Sequence, residues 1–173
     1  AAWERSVLAP RIAHYDPLWL DQLFLAGDIA WGRLRPPRRE PQQVAAVAAM
    51  SRAMPMAIVV REDLPWLLPP DRAVATPASE SSRKVRDALE QRGALFMPEI
   101  KALTRLDREA MHEALRELAS LGLVTSDAFA AVRSIVSRKP NATTTLSAVG
   151  RWSPFPGLLV ELALEDVVPR DLA

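Results

Sequence analysis

The stretch WGRLRPPRRE places Arg33, Arg35, Arg38 and Arg39 within seven positions, with Glu40 the acidic residue beside them. Guanidinium groups bind phosphate oxygens in a two-pronged way, and prolines stiffen the chain between them, so the pattern suits a clamp on a nucleic-acid backbone. It equally suits a charged loop that only faces water. Trp31 lies just upstream, and strand alternation puts Ile29, Trp31 and Arg33 on one side. Its indole could stack on an unpaired base, worth about 1–3 kcal/mol per base. Core packing is the commoner fate of a tryptophan, and Trp3, Trp19, Trp66 and Trp152 carry the same expectation.

No other pattern suggests chemistry. The sequence has no Gly-x-x-x-x-Gly-Lys-Ser/Thr loop, no Gly-x-Ser-x-Gly elbow and no His-Glu-x-x-His. It has no cysteine, which excludes disulfides and thiolate metal sites, and His14 and His112 stand too far apart to suggest ligand spacing. Asp16, Asp28 and Asp127 sit beside expected helix or strand ends, where capping accounts for them. No catalytic residue, metal or cofactor is therefore expected in this segment.

With 22 Lys+Arg against 21 Asp+Glu the net charge is +1, so any role with nucleic acid has to be local. The 19 arginines against 3 lysines favour phosphate recognition, although genome composition produces the same bias. A chain of 173 residues, 49% hydrophobic and 25% charged, is globular material for one domain or two small ones. No apolar run reaches the roughly 20 residues that span a bilayer, and AAWERSVLAP lacks the regions of a signal peptide, so a cytoplasmic location is expected. Without an initiator Met, and ending on VVPRDLA, the chain reads as a piece of something longer.

These residues need elements to hold them. PLWLDQLFLA puts Leu20, Leu23 and Phe24 on one helical face, with Gly27 as its stop. DIAWGRL follows as a strand, Arg35 to Gln43 as a loop, VAAVAAMSRAM as a helix, and PMAIVVRED as a second strand ended by Pro65. Pairing of the two strands would carry the arginines at the tip of a hairpin. After a proline-rich linker, SESSRKVRDALEQRGAL is a helix with serine caps and an inner stripe of Val85, Ala88 and Leu89. MPEIKALTR is a second helix that buries Ile100 and Leu103, and LDREAMHEALRELASLG is a third, leaving through the strand LVTSD. Three helices, a tight turn and a strand spell a winged helix-turn-helix. AFAAVRSIV reads as a further helix and SRKPNATTTLSAVG as a polar connector. Leu20, Leu23 and Gly27 recur as Leu115, Leu118 and Gly122, so the first half resembles the back end of another such unit.

Helical periodicity divides the third helix into stripes. Met111, Ala114, Leu115 and Leu118 face the core, Arg108, His112 and Arg116 line one flank, and Glu109, Glu113 and Glu117 lie opposite the core with Ser120. A carboxylate column disfavours insertion of this helix into a groove walled by phosphates.

Taken together, WERSVLAPRI, YDPLWLDQLFLAGDIAWGRL, AMPMAIVVREDLPWLL, ALRELASLGLVTSDAFAAVR and GRWSPF resemble the C-terminal extension of the large helicase-related (Lhr) proteins, a bacterial branch of superfamily 2 helicases. The resemblance runs through most of the chain in order and is thinnest between Arg35 and Met54. It implies a larger parent that couples ATP hydrolysis to unwinding of DNA or DNA:RNA hybrids, with ATP and Mg confined to upstream motor domains of the same chain. None of the motor motifs is present, so no motor residue carries over. The resemblance also implies a tandem array of winged helices, similar to winged-helix DNA glycosylases of bacteria and so to DNA repair, and no glycosylase residue carries over either.

The expected fold is mainly α with small β-hairpins (α+β), a tandem winged helix-turn-helix whose first unit is incomplete. Its parts are residues 1–70, 71–140 and a connector at 141–173. The leading expectation is a non-catalytic segment that binds nucleic acid or positions neighbouring modules, through Arg33, Arg35, Arg38, Arg39 and Trp31 with Arg108 and Arg116 as a second flank. The alternative is an assembly module that docks on the helicase core or another subunit through the acidic stripe. A share in a glycosylase-like site ranks third.

Overall fold

A computed structural model describes residues 4–35, 56–68, 75–131 and 150–156. The helix expected at 44–54, the loop beyond Arg35, Trp3, Arg38, Arg39, and the expected helix and connector beyond Ala131 lie outside the described residues. The fold is α+β: helices with two small antiparallel sheets, compatible with a winged helix.

After a π-helical turn at Glu4–Leu8, α1 spans Pro17–Ala26. The Asp16 carboxylate accepts from the Leu18 N–H at 2.9 Å, and Pro17 occupies a first-turn position where its missing N–H costs nothing. Gly27 ends the helix with φ 83°, its N–H reaching the Phe24 carbonyl at 3.1 Å while Asp28 reaches Leu23 at 3.2 Å. The closure recurs at Gly122, φ 71°, where Gly122 bonds Ala119 at 3.0 Å and Leu123 bonds Leu118 at 2.9 Å. Both glycines take up the left-handed conformation that a Cβ resists, and each releases the chain into a strand two residues later. The repeat in the sequence is therefore a repeat in backbone geometry.

Those strands are β1, Ile29–Gly32, and β3, Val124–Ser126. β1 pairs antiparallel with β2, Ala57–Val60, from Ile29 opposite Val60 to Gly32 opposite Ala57, so the two strands form the expected hairpin. β2 ends before Pro65 is reached, and a 3-10 turn at Arg61–Asp63 leads into the short helix α2, Leu64–Leu67. In α2 Leu64 turns inward. Trp66, two residues on and so on the other side of the helix, is 90% exposed, which overturns its expected place in the core. Trp19 is also exposed, because Leu20 and Phe24 take the inner face of α1.

The second half holds α3, Glu80–Arg92, α4, Met97–Thr104, and α5, Arg108–Ser120. Ser79 caps α3 by accepting from the Ser82 N–H at 3.1 Å. Asp107 caps α5 in the same way, accepting from the Ala110 N–H at 2.8 Å. Glu99 reaches back to accept from the Phe96 N–H at 2.7 Å at the start of α4. α3 packs along both of its partners, and α4 turns Ile100 to it while leaving Leu103 47% exposed, contrary to its expected burial.

Residues 152–154, read from sequence as part of a connector, form β4, Trp152–Pro154, antiparallel to β3. β4 is also drawn to Leu95, which exchanges backbone bonds with Trp152 at 2.8 and 2.7 Å. One apolar cluster runs through both halves, joining Leu20, Phe24 and Trp31 to Val85, Leu89, Ile100, Leu115, Leu118, Phe129 and Trp152. Phe24 stacks on Phe129 at 5.5 Å and Trp31 meets Trp152 edge-on at 5.9 Å. Such aromatics each bury about 150–250 Å², so these two pairs dominate the junction.

Candidate nucleic-acid interface

Trp31 belongs to that junction. It is 1% exposed, its indole N–H donates to the Ser126 carbonyl at 3.1 Å, and its own carbonyl accepts from the Thr125 hydroxyl at 2.7 Å. A ring enclosed in this way has no face to offer a base, so the packing reading is the one the structure realises and the stacking reading falls.

Arg33, the next residue on the same side of the chain, is engaged as well. Its Nη1 donates to the Ser120 carbonyl at 3.1 Å and its Nε donates to the Arg35 carbonyl at 3.2 Å. Ser120 is the last residue of α5, a helix with no basic residue in its final turn. A helix C-terminus leaves carbonyls unpaired and carries partial negative charge, and Arg33 brings a cation to it from the other half of the molecule. Arg35 is exposed at the start of the connection to β2. Arg38 and Arg39 lie outside the described residues.

The flank on α5 separates into unlike members. Arg108 is exposed at the first position of the helix, at the opposite end from Ser120. Arg116 lies one turn before Ser120, its side chain 13% exposed and its Nη1 3.5 Å from the Glu113 carboxylate. Half-buried His112 between them is held below its ordinary pKa, first by burial and then by the Arg116 and Arg108 charges, with Glu113 opposing. Of the predicted cations, Arg33 bonds the carbonyls of Arg35 and of Ser120 at the end of α5, Arg116 pairs with Glu113 on that helix, and Arg108 lies at its other end.

Residues 1–49 match the winged-helix domain of the large helicase-related (Lhr) protein family. No curated protein matches the chain. The Lhr match takes in α1, β1 and the whole arginine run to Arg39, the part of the chain that α5 supports through Arg33.

Beyond the Lhr-matched part, two expectations on α5 change. Glu117 does not face away from the protein: it accepts from the Ala78 N–H at 2.5 Å, from the Ser79 N–H at 3.4 Å and from the Ser82 hydroxyl at 2.7 Å. Burial works to raise its pKa, but these bonds outweigh it and hold the carboxyl below the ordinary value. Ser120 is buried, its carbonyl accepting from Arg33 and its hydroxyl donating to the Glu117 carbonyl at 2.7 Å. The acidic stripe is thereby reduced to Glu109 and Glu113, both exposed. Sequence reading also passed over two exposed cations, Lys101 in the last turn of α4 and Arg105 at its end, the latter in the left-handed region at φ 56°. Their spacing of four, running into Arg108, was the available signal. Among the described residues no helix is long and apolar enough to cross a membrane, and no cluster is arranged to hold a metal ion.

Proposed function

We propose that this chain is a non-catalytic, tandem winged-helix segment of an Lhr-type DNA helicase, and that it holds DNA or a DNA:RNA hybrid through the arginine-bearing connection after β1. The observation that carries this is the fixed base of that connection. β1 is paired, its Trp31 is locked into the shared core, Arg33 is tied to α5, and the first exposed guanidinium beyond this anchor is Arg35. A cation that leaves a rigid base loses less freedom on meeting a phosphate than one on a free loop. The twin glycine closures at Gly27 and Gly122 support the tandem reading, with a first unit that has no counterparts of α3 and α4 among the described residues. On this reading the ATP- and Mg-dependent motor belongs to other domains of a bacterial, cytoplasmic parent, where the segment serves DNA repair.

The test is fluorescence anisotropy of the chain on labelled duplex and single-stranded DNA over a salt series, with Arg35, Arg38 and Arg39 replaced together by Ala. The slope of log affinity against log salt should fall by about 0.9 for each lost duplex phosphate contact. Unchanged affinity and slope would remove the clamp.

A second reading, an assembly module that docks on the helicase core, has its own observation. Leu18, Trp19, Leu23 and Leu25 are exposed on α1, and Trp66 and Leu67 on α2, apolar side chains that a partner protein could cover. Under it, Leu18 and Leu25 replaced by Ser would weaken association with the core and leave DNA binding intact.

A further inference from the structure

The end of β1 assigns different work to two neighbouring arginines. Resting on the function proposed above, we infer that Arg33 is a positioning residue, which sets Arg35 for phosphate contact and is not itself a phosphate ligand.

The guanidinium of Arg33 uses two of its nitrogens on carbonyls that belong to different parts of the molecule. Nε bonds the carbonyl of Arg35, two residues on, and so fixes the backbone from 33 to 35 in one small ring. Nη1 bonds the carbonyl of Ser120 and so fixes that ring to the end of α5. The rigid planar fork of arginine allows both bonds at once, whereas the ammonium of a lysine is a point charge. Turning Arg33 toward a phosphate would strip the cation from the α5 C-terminus, which has no basic residue of its own there. Arg35 is in the opposite situation, with its carbonyl held and its side chain exposed. Binding at Arg35 is then linked to α5 through the Arg33 side chain.

The experiment compares R33A, R33K, R35A and the double variant R33A/R35A in the full chain, by anisotropy on labelled duplex DNA over a salt series, with the fold of each checked by circular dichroism. R35A should lower the salt slope by about 0.9 and weaken binding about eightfold at about 0.1 M salt, the factor that this exponent gives between about 1 M and 0.1 M. R33A should weaken binding with the slope unchanged, because the phosphate contact is still made from a looser base. It should add nothing to R35A in the double variant, since the two act in series. R33K should behave as R33A does, and it serves alone if R33A fails to fold. A slope reduced by about 0.9 in R33A, restored in R33K and additive with R35A, would make Arg33 a phosphate ligand and overturn the inference while leaving the arginine connection in place. Binding by R33A and R33K equal to that of the parent chain would overturn it too. An R35A variant with unchanged affinity and slope would remove the site itself, and the inference with it.

Discussion

Replacing Glu117 by Ala should unfasten the start of α3. The carboxylate takes a short bond from the Ala78 N–H at 2.5 Å and another from the Ser82 hydroxyl at 2.7 Å. The contact from Ser79 at 3.4 Å is near the limit of a hydrogen bond and adds little. Bonds to a charged partner contribute about 1.5–3 kcal/mol each at the upper end, and helix caps about 0.5–2 kcal/mol. Buried Ser82 is not orphaned by the change, because it still meets the Ala114 carbonyl at 3.3 Å and the Ser79 hydroxyl at 2.7 Å. A loss of about 2–3 kcal/mol for E117A at neutral pH follows, and about half of that for E117Q, whose amide oxygen still accepts but carries no charge against the α3 N-terminus. The folded pKa of Glu117 lies below its unfolded value, so this stabilisation is fully present above the ordinary carboxylate range and is lost as pH falls through the folded value. The difference between E117Q and the parent chain should therefore vanish in acid. Urea unfolding followed by far-ultraviolet circular dichroism, at neutral pH and well below the carboxylate range, measures both quantities. An E117A variant within about 0.5 kcal/mol of the parent at neutral pH, or an E117Q deficit of equal size under both conditions, would refute the assignment.

Further outcomes follow from the same structure. W31F loses the bond to Ser126 and part of the contact with Trp152, and should cost about 2–3 kcal/mol in urea unfolding; a Trp31 that served only to stack on bases would leave stability unchanged. G32A would drive a Cβ into the ring of Phe155, with an expected loss of about 1–3 kcal/mol by thermal or urea unfolding, and a neutral result would deny the close approach. His112 is held below its ordinary pKa, so the unfolded chain protonates first and stability should decline as pH falls from the ordinary histidine range toward the folded value. H112Q should flatten that part of the pH profile. Reversing Glu109 and Glu113 to Lys, with Glu117 left in place, should strengthen duplex binding and steepen its salt slope in the anisotropy assay; weaker binding would count against contact by this side of α5.

Local chemistry was enough to read most of the elements. Proline and a carboxylate at the start of α1, glycine at its end and serine before α3 are signals that act within one turn of backbone, and the structure uses each where the sequence puts it. The apolar stripe Met111, Ala114, Leu115 and Leu118 was legible for the same reason, since helical period alone decides which side chains share a face. The arginine run was visible as charge density, because four cations in seven positions need no partner to be noticed.

What those residues face was a matter for tertiary structure. Alternation placed Trp31 and Arg33 on the same side of β1, and only the arrival of β3, β4 and the end of α5 turned that side into an interior, closing the indole and capturing the guanidinium. Glu117 reads on a helical wheel as solvent-facing, yet the loop before α3 folds over it and supplies a donor at Ala78 from 39 positions away. Trp66 reads as core by its residue type, yet Leu64 claims the inner face of α2 first and leaves the indole in water. Periodicity assigns a direction to each side chain. What lies in that direction depends on segments distant in sequence, and that is why Arg33 proves to be an anchor while Arg35, two residues along, stands exposed.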